Sequence, residues 1–238
     1  VEEFYVTFQN IEVVAKISPY FPSRYEVLQV SETGSFMWQM QNFIPDDHGT
    51  SDHDLVVIYR ASTKDILKGR TINPTLPCKH HIMIDNQEYD FSYLEIGHFC
   101  HQLKKGNVNI IWALLSPIII YRKPAVTVLR DIIQQIHTSD IVASGVGMTI
   151  SQLKDATKRA DVRSPEKSLK TAYRTSQFVF NHLNTGKWQF DPVTWTVTEA
   201  DVMDLIDNIK TLELNGNYEP MPIDSIEQWI YQLRVVDI

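Results

Sequence analysis

Thr33–Tyr59 reads TGSFMWQMQNFIPDDHGTSDHDLVVIY, and its two ends decide the fold. At one end Gly34 and Ser35 follow a β-branched and aromatic run, YEVLQV (Tyr25–Val30), and precede FMWQMQNF, which has no breaker and can start a helix. The pair is therefore expected at a strand-to-helix turn. There a glycine lets a phosphate approach the backbone, and the Ser35 hydroxyl adds to the free amides of the helix start. A Gly-Ser pair is equally at home in a plain turn. At the other end Asp52 and Asp54 open the apolar strand DLVVIY. Residues i and i+2 of a strand share a face, so the two carboxylates lie side by side and His53 points away. Such charges repel unless a cation lies between them. Hard oxygen donors suit Mg²⁺ or Mn²⁺, which bridge protein carboxylates and substrate phosphates.

A metal clamp of this kind calls for a third carboxylate on a neighbouring strand. EYDFSY (Glu88–Tyr93) supplies Asp90 among apolar and aromatic residues, where an aspartate is out of character with β-propensity. It is either the third ligand or a strand-end cap. Further strands are expected at EFYVTF (Glu3–Phe8) and HIMI (His81–Ile84), with Asp85–Gln87 as a hairpin turn between HIMI and EYDFSY.

Helical periodicity takes over after Tyr93, and from Pro124 onward the chain reads as helices. Ser164 is placed to cap a helix that has Pro165 at its first position and Gly186 as its terminator. Thr198 with Asp201 three residues later forms a capping-box variant, and IDSIEQWIYQLRVV is a final helix. The expected class is α+β, with a mixed-sheet domain over residues 1–123 and a helical domain over 124–238.

The chain's 238 residues are enough to bury a core without staples. Cys78 and Cys100 are too few for a disulfide framework, and no signal-peptide pattern is present. A reducing, cytoplasmic setting is expected, with an initiator Met or a tag lost before Val1. The apolar run Ile110–Tyr121 is broken by Ser116 and Pro117 and falls short of the ~20 residues that span a bilayer, so no membrane partner is expected. A net charge of -7 argues against a protein that coats nucleic acid. The average hides a split. Lys154–Arg174 carries seven basic residues against three acidic ones, whereas Gln189–Ile238 carries ten acidic residues against two basic. The basic segment is either a phosphate-facing surface or a solvated helix face. Within it Lys167, Lys170 and Arg174 share a helical stripe.

Gly-Ser, then Asp-x-Asp opening an apolar strand, then one Asp in a later strand resembles the nucleotidyltransferase superfamily of DNA polymerase beta. SDHDLVVIY followed by YDFSYLEIGHFCHQLKKGNVNIIWALLSP is similar to its RNA-repair-associated branch, as are GVGMTISQLKDA and KSLKTAYRTSQFVFNHLNTG. The resemblance covers most of Tyr25–Gly186. It implies a nucleotidyltransferase mixed-sheet domain followed by a helical one. The implied reaction is two-metal transfer of a nucleoside monophosphate from a nucleoside triphosphate to an acceptor such as an RNA end. Asp52 and Asp54 would hold both ions, Asp90 would bind the catalytic ion and help activate the acceptor hydroxyl, and Gly34 and Ser35 would seat the triphosphate. Lys167, Lys170 and Arg174 become candidates for reaching the phosphates, with Lys104 and Lys105 behind them. Two departures stand out. Sixteen residues separate Ser35 from Asp52, an expected loop over the site, and His53 replaces an apolar residue between the aspartates. The loop keeps open a non-catalytic nucleotide or RNA sensor, and transfer onto a protein hydroxyl would use the same site.

Cys78, His80, His81, His98, Cys100 and His101 lack the paired spacing that fixes zinc. His98 and His101 are expected to decorate a helix whose Phe99 and Leu103 pack inside. Trp112, Trp188, Trp195 and Trp229 are expected in the core or between domains, and Trp38 is either core or a base-stacking platform.

Overall fold

A computed structural model describes residue 15 and residues 25–40, 52–68, 79–84, 86–136, 138–158, 164–216 and 218–235. The expected strand Glu3–Phe8, the loop before Asp52 and Cys78 lie outside these residues. The architecture is α+β. Strands β1 (Glu26–Glu32), β2 (His53–Arg60), β3 (Lys79–Ile84), β4 (Gln87–Glu95) and β5 (Ile119–Arg122) form one mixed sheet in the order β3-β4-β2-β1-β5. Every pairing is antiparallel except β2 with β4, which run parallel with Asp54 opposite Asp90 and Leu55 opposite Phe91.

Period-two alternation divides the strands between two cores. Leu55, Val57 and Tyr59 of β2, Phe91 and Tyr93 of β4, Val30 and Ile120 pack on one face. The other face carries Asp54, Val56 and Ile58 beside Asp90, Ser92 and Leu94, and it looks toward the helices. The larger core there joins Leu28 and Ile58 to Phe99, Leu103, Ile111, Leu129, Phe178 and Ile206.

Between β1 and β2 lies α1 (Gly34–Met37), a single turn followed by Gln39 at φ 55°, so Phe36–Met40 gives less helix than its composition allows. After β2, Ser62 caps α2 (Thr63–Leu67) by accepting from Asp65 N–H. β4 runs directly into α3 (Ile96–Leu103), which exposes His98 and His101 and buries Phe99 and Leu103 as expected. The Lys105-Gly106-Asn107 turn then leads to α4 (Val108–Leu115), capped by Asn107. The apolar run Ile110–Tyr121 is not one element. Ser116 and Pro117 divide it into α4 and the edge strand β5, and Ser116 Oγ donates to Glu32 O at 2.6 Å, tying the break to the sheet.

Pro124 opens α5 (Pro124–Gln134), followed by α6 (Ser139–Lys158), α7 (Pro165–Thr185), α8 (Glu199–Asn215) and α9 (Ile223–Val235). The terminal signals of α7 act as anticipated: Ser164 Oγ accepts from Lys167 N–H, and Gly186 closes the helix at φ 71°. Both halves of the Thr198–Asp201 capping box form. Helix α9 returns to the sheet end remote from the aspartates. There Arg234 pairs with buried Glu95, whose carboxylate also accepts from the Ala61 and Gly97 amides. Among the described residues no helix is long and apolar enough to cross a membrane.

Gly106 is required twice over. Its φ is +66°, and a Cβ there would lie 2.5 Å from the Asp140 carbonyl carbon at the start of α6. Gly106→Ala should therefore destabilise the fold by roughly 2 kcal/mol, through left-handed backbone strain and displacement of α6. Urea unfolding with an unchanged m-value measures this; a loss under about 0.5 kcal/mol would show that the turn accommodates the methyl.

Candidate metal and anion site

The site begins with one backbone arrangement. After β1, Thr33 donates its N–H (2.7 Å) and its Oγ1–H (3.0 Å) to the same carbonyl, that of Asp54. This double hold lays the Gly34–Ser35 turn across the start of β2. Gly34 has φ +62°, and a Cβ on it would overlap Asp54 Oδ2 and sit 2.9 Å from Asp54 Cγ. Only glycine leaves room for the carboxylate.

Parallel pairing of β2 with β4 then sets Asp90 beside Asp54, and one carboxylate oxygen from each of Asp52, Asp54 and Asp90 lies within 4.8 Å of the others. At an effective dielectric constant of about 20, each ionised pair at that separation repels by about 3 kcal/mol. The donor set is all oxygen, partly buried, and cradled by a glycine whose missing side chain makes the space. Those residues fit a hard divalent cation. A second group able to ligate, His81, Glu88 and Asp90, shares Asp90 with the first.

His53 stands on the opposite face and completes the support. Its ring is stacked between Phe36 of α1 (centroids 3.8 Å apart) and Tyr89 of β4 (4.6 Å). Its Nδ1 hydrogen-bonds Glu32 Oε1 at 2.8 Å. Burial pushes the Glu32 carboxyl above its ordinary range, and the His53 bond opposes that rise. His53 thus locks the glycine turn to the sheet without joining the carboxylate cluster.

In front of the aspartates is a cavity of about 510 Å³, within the range of ligand sites. Thr33, Gly34, Ser35, Asp52 and Asp54 line one side, and Lys167, Thr171 and Arg174 of α7 line another. Asn109 and Trp112 of α4 and Met148 and Gln152 of α6 also line it, with Val56, Ser92 and Leu94 of the sheet. Arg174 is only 6% exposed; its Nη2 donates to Thr171 Oγ1 (3.1 Å) and its guanidinium lies over the Trp38 ring (5.5 Å).

Gly34, Ser35, Asp52, Asp54, Lys167 and Arg174 therefore meet at one cavity, with Asp90 beside Asp54 behind it. Lys170 does not line it: the residue is buried and its amine pairs with Glu166 at 2.9 Å. Lys104 also turns elsewhere, to Glu227 of α9. Trp38 is a core residue, 1% exposed and packed with Trp112, Phe178 and Phe190, so it presents no stacking platform. Trp112 and Trp229 are buried as expected, whereas Trp195 is about half exposed and meets Tyr173 edge-on.

Sequence reasoning passed over Thr33, Thr171, Asn109, Gln152 and the position of His81. Thr33 was findable, because a β-branched hydroxyl directly before a glycine at a strand end is placed to bond across to the next strand. Cys100 offers no thiolate to a metal. Burial, with the Glu95 charge adding to it, pushes its thiol up to about 12.

No protein-family model and no curated protein matches the chain. Among solved structures it is similar to a nucleotidyltransferase-like protein from Exiguobacterium sibiricum 255-15, at 10% identity, over 96% of this chain and 76% of that one, with a TM-score of 0.36. A likeness so distant says nothing of chemistry, which has to come from the side chains around the cavity.

Two outcomes are expected. Gly34→Ala should weaken Mn²⁺ binding by about 10-fold or more by displacing Asp54, as calorimetric titration would register; unchanged affinity would separate the glycine from the site. Native Cys100 should resist iodoacetamide at pH 8, because its proton is held well above that pH, and should react once the chain is unfolded. Peptide mapping by mass would read the difference, and rapid native labelling would refute it.

Proposed function

We propose that the protein is a metal-dependent nucleotidyltransferase that moves a nucleoside monophosphate from a nucleoside triphosphate to an acceptor hydroxyl, with an RNA end as the acceptor. The observation that carries this reading is the meeting of three carboxylates, Asp52, Asp54 and Asp90, beneath a glycine turn and across a cavity from Lys167 and Arg174. Carboxylates alone would repel a triphosphate. Carboxylates that hold Mg²⁺ or Mn²⁺, faced by two cationic side chains, would attract one.

The residues divide the work by position. Asp52 and Asp54 would hold the divalent ions and Asp90 would share the ion nearest the acceptor. When bound, such ions withdraw charge from the reacting phosphoryl group and the leaving pyrophosphate. Thr33 fixes the height of Asp54 relative to the turn. Gly34 and Ser35 offer a side-chain-free approach and a hydroxyl to phosphate oxygens. Arg174, stiffened by Trp38 and Thr171, and Lys167 at the cavity edge would take the charge of the leaving portion. Asp90, 2% exposed and opposite Asp54, would help activate the acceptor hydroxyl through the ion it shares.

Incubation with Mg²⁺ or Mn²⁺, each α-labelled nucleoside triphosphate and single-stranded RNAs of defined 3′ ends should yield labelled RNA and pyrophosphate. Asp54→Asn should lower the rate by roughly 10²–10³-fold, in keeping with loss of a group that stabilises transition-state charge. Label on protein instead of RNA would redirect the reading to a protein hydroxyl. Tight triphosphate binding with no pyrophosphate from any acceptor would mark a sensor, and no triphosphate binding at all would overturn the proposal.

A further inference from the structure

The cysteine and histidine cluster around Cys78–His81 finds no zinc spacing in the sequence, yet the fold gives one of its members a definite place. β3 and β4 form an antiparallel hairpin in which Ile84 faces Gln87, and that register sets His81 directly opposite Asp90. His81 Nδ1 lies in direct contact with Asp90 Oδ1, and Glu88 Oε1 is 3.5 Å from the same nitrogen. A carboxylate has only acceptors to offer, so the nitrogen that meets it favourably carries the proton. Asp90 is almost wholly buried in the middle of the sheet, whereas the His81 side chain is 62% exposed on the sheet's edge strand.

We infer that His81 is a positioning residue for the third carboxylate. Its Nδ1 pairs with Asp90 Oδ1, and this ion pair would keep the carboxylate turned toward Asp52 and Asp54 and the ion they would bind. The inference rests on the metal-site reading above and deepens it. Three acidic groups this close gain from a donor on the outer one, since a carboxylate free to turn would swing away from its neighbours. Ligating carboxylates are ordinarily fixed by such outer hydrogen bonds, whose loss costs about 10–100-fold in metal affinity or activity. Glu88, on the same face of β4 two residues before Asp90, brings a second carboxylate toward the same Nδ1. The hairpin thus sets an exposed carboxylate, Glu88, and a buried one, Asp90, on the same nitrogen of His81.

The edge position makes the test clean, because His81 contributes little to the core. Mn²⁺ titration by calorimetry of the full chain should show His81→Ala weakened by roughly 10-fold. His81→Asn, whose amide nitrogen replaces Nδ1 as a donor, should recover most of the loss. Where turnover is measurable, the alanine variant should lose kcat with little change in KM for the triphosphate. Asp54→Asn serves as the marker for the site itself. If Asp54→Asn weakens Mn²⁺ and His81→Ala does not, the positioning role is overturned while the metal site stands. If neither weakens it, the metal-site reading fails and takes the inference with it. Loss of Zn²⁺ or Ni²⁺ affinity alone in His81→Ala, with Mn²⁺ unaffected and no rescue by Asn, would make His81 a direct ligand to a softer ion and overturn the inference.

Discussion

The structure turns on the parallel pairing of β2 with β4. An antiparallel neighbour could also bring two aspartates together, but the parallel register continues past them and pairs Val56 with Ser92, Val57 with Tyr93 and Ile58 with Leu94. The same alignment that sets three carboxylates side by side therefore also aligns two apolar rows, one toward each core. Each pair of large apolar residues buried on the strands contributes several kcal/mol, more than the repulsion of one carboxylate pair near the cavity. The sheet's apolar packing can hold in place an acidic cluster that would not assemble by itself.

On top of that register sits a turn with support from both faces. Thr33 fixes the carbonyl of Asp54 from the strand side, while Phe36 and Tyr89 enclose His53 on the other. Glu32 anchors the imidazole from the last residue of β1. These contacts tie β1, α1, β2 and β4 into one unit around two adjacent residues with opposite duties: His53 secures the fold, and Asp54 faces the cavity. That division explains why a histidine can interrupt an acidic pair. In a strand the intervening position belongs to the other face, and a flat aromatic ring serves it as well as an aliphatic side chain would.

What the sequence made legible was local. Helix ends follow from a few residues whose chemistry acts within one turn, and Ser164, Pro165, Gly186, Thr198 and Asp201 each do so. The pairing of Asp52 with Asp54 is likewise a matter of strand period alone. The rest depended on partners far along the chain. β5 hides in an apolar run whose helical half and strand half have similar composition; they are told apart by the Ser116 bond to Glu32, which no local pattern contains. The place of His81 was lost by a single residue. Reading Asp85–Gln87 as the turn pairs Ile84 with Glu88 and sets His81 opposite Phe91, whereas pairing Ile84 with Gln87 sets it opposite Asp90. A one-residue slip in a hairpin moves every side chain to a new neighbour and exchanges the faces.

The same limit governs the cationic wall. Lys167, Lys170 and Arg174 share a stripe by spacing, and spacing cannot say which edge of a broad stripe meets the cavity. Packing of α7 against the neighbouring helices decides it. Lys167, Thr171 and Arg174 form the row that reaches the cavity, and Lys170, one position from Thr171, falls to the side where Glu166 takes its charge. Exchange of a lysine for a threonine in that row is consequential. The hydroxyl of Thr171 accepts from Arg174 and donates to the Lys167 carbonyl, so a neutral residue fixes the guanidinium where a second ammonium would have repelled it. One wall of the cavity is consequently acidic and deeply supported, and the facing wall carries a buried, oriented guanidinium. A bare anion is repelled by the first and a bare cation by the second. A polyanion that arrives with divalent cations would satisfy both.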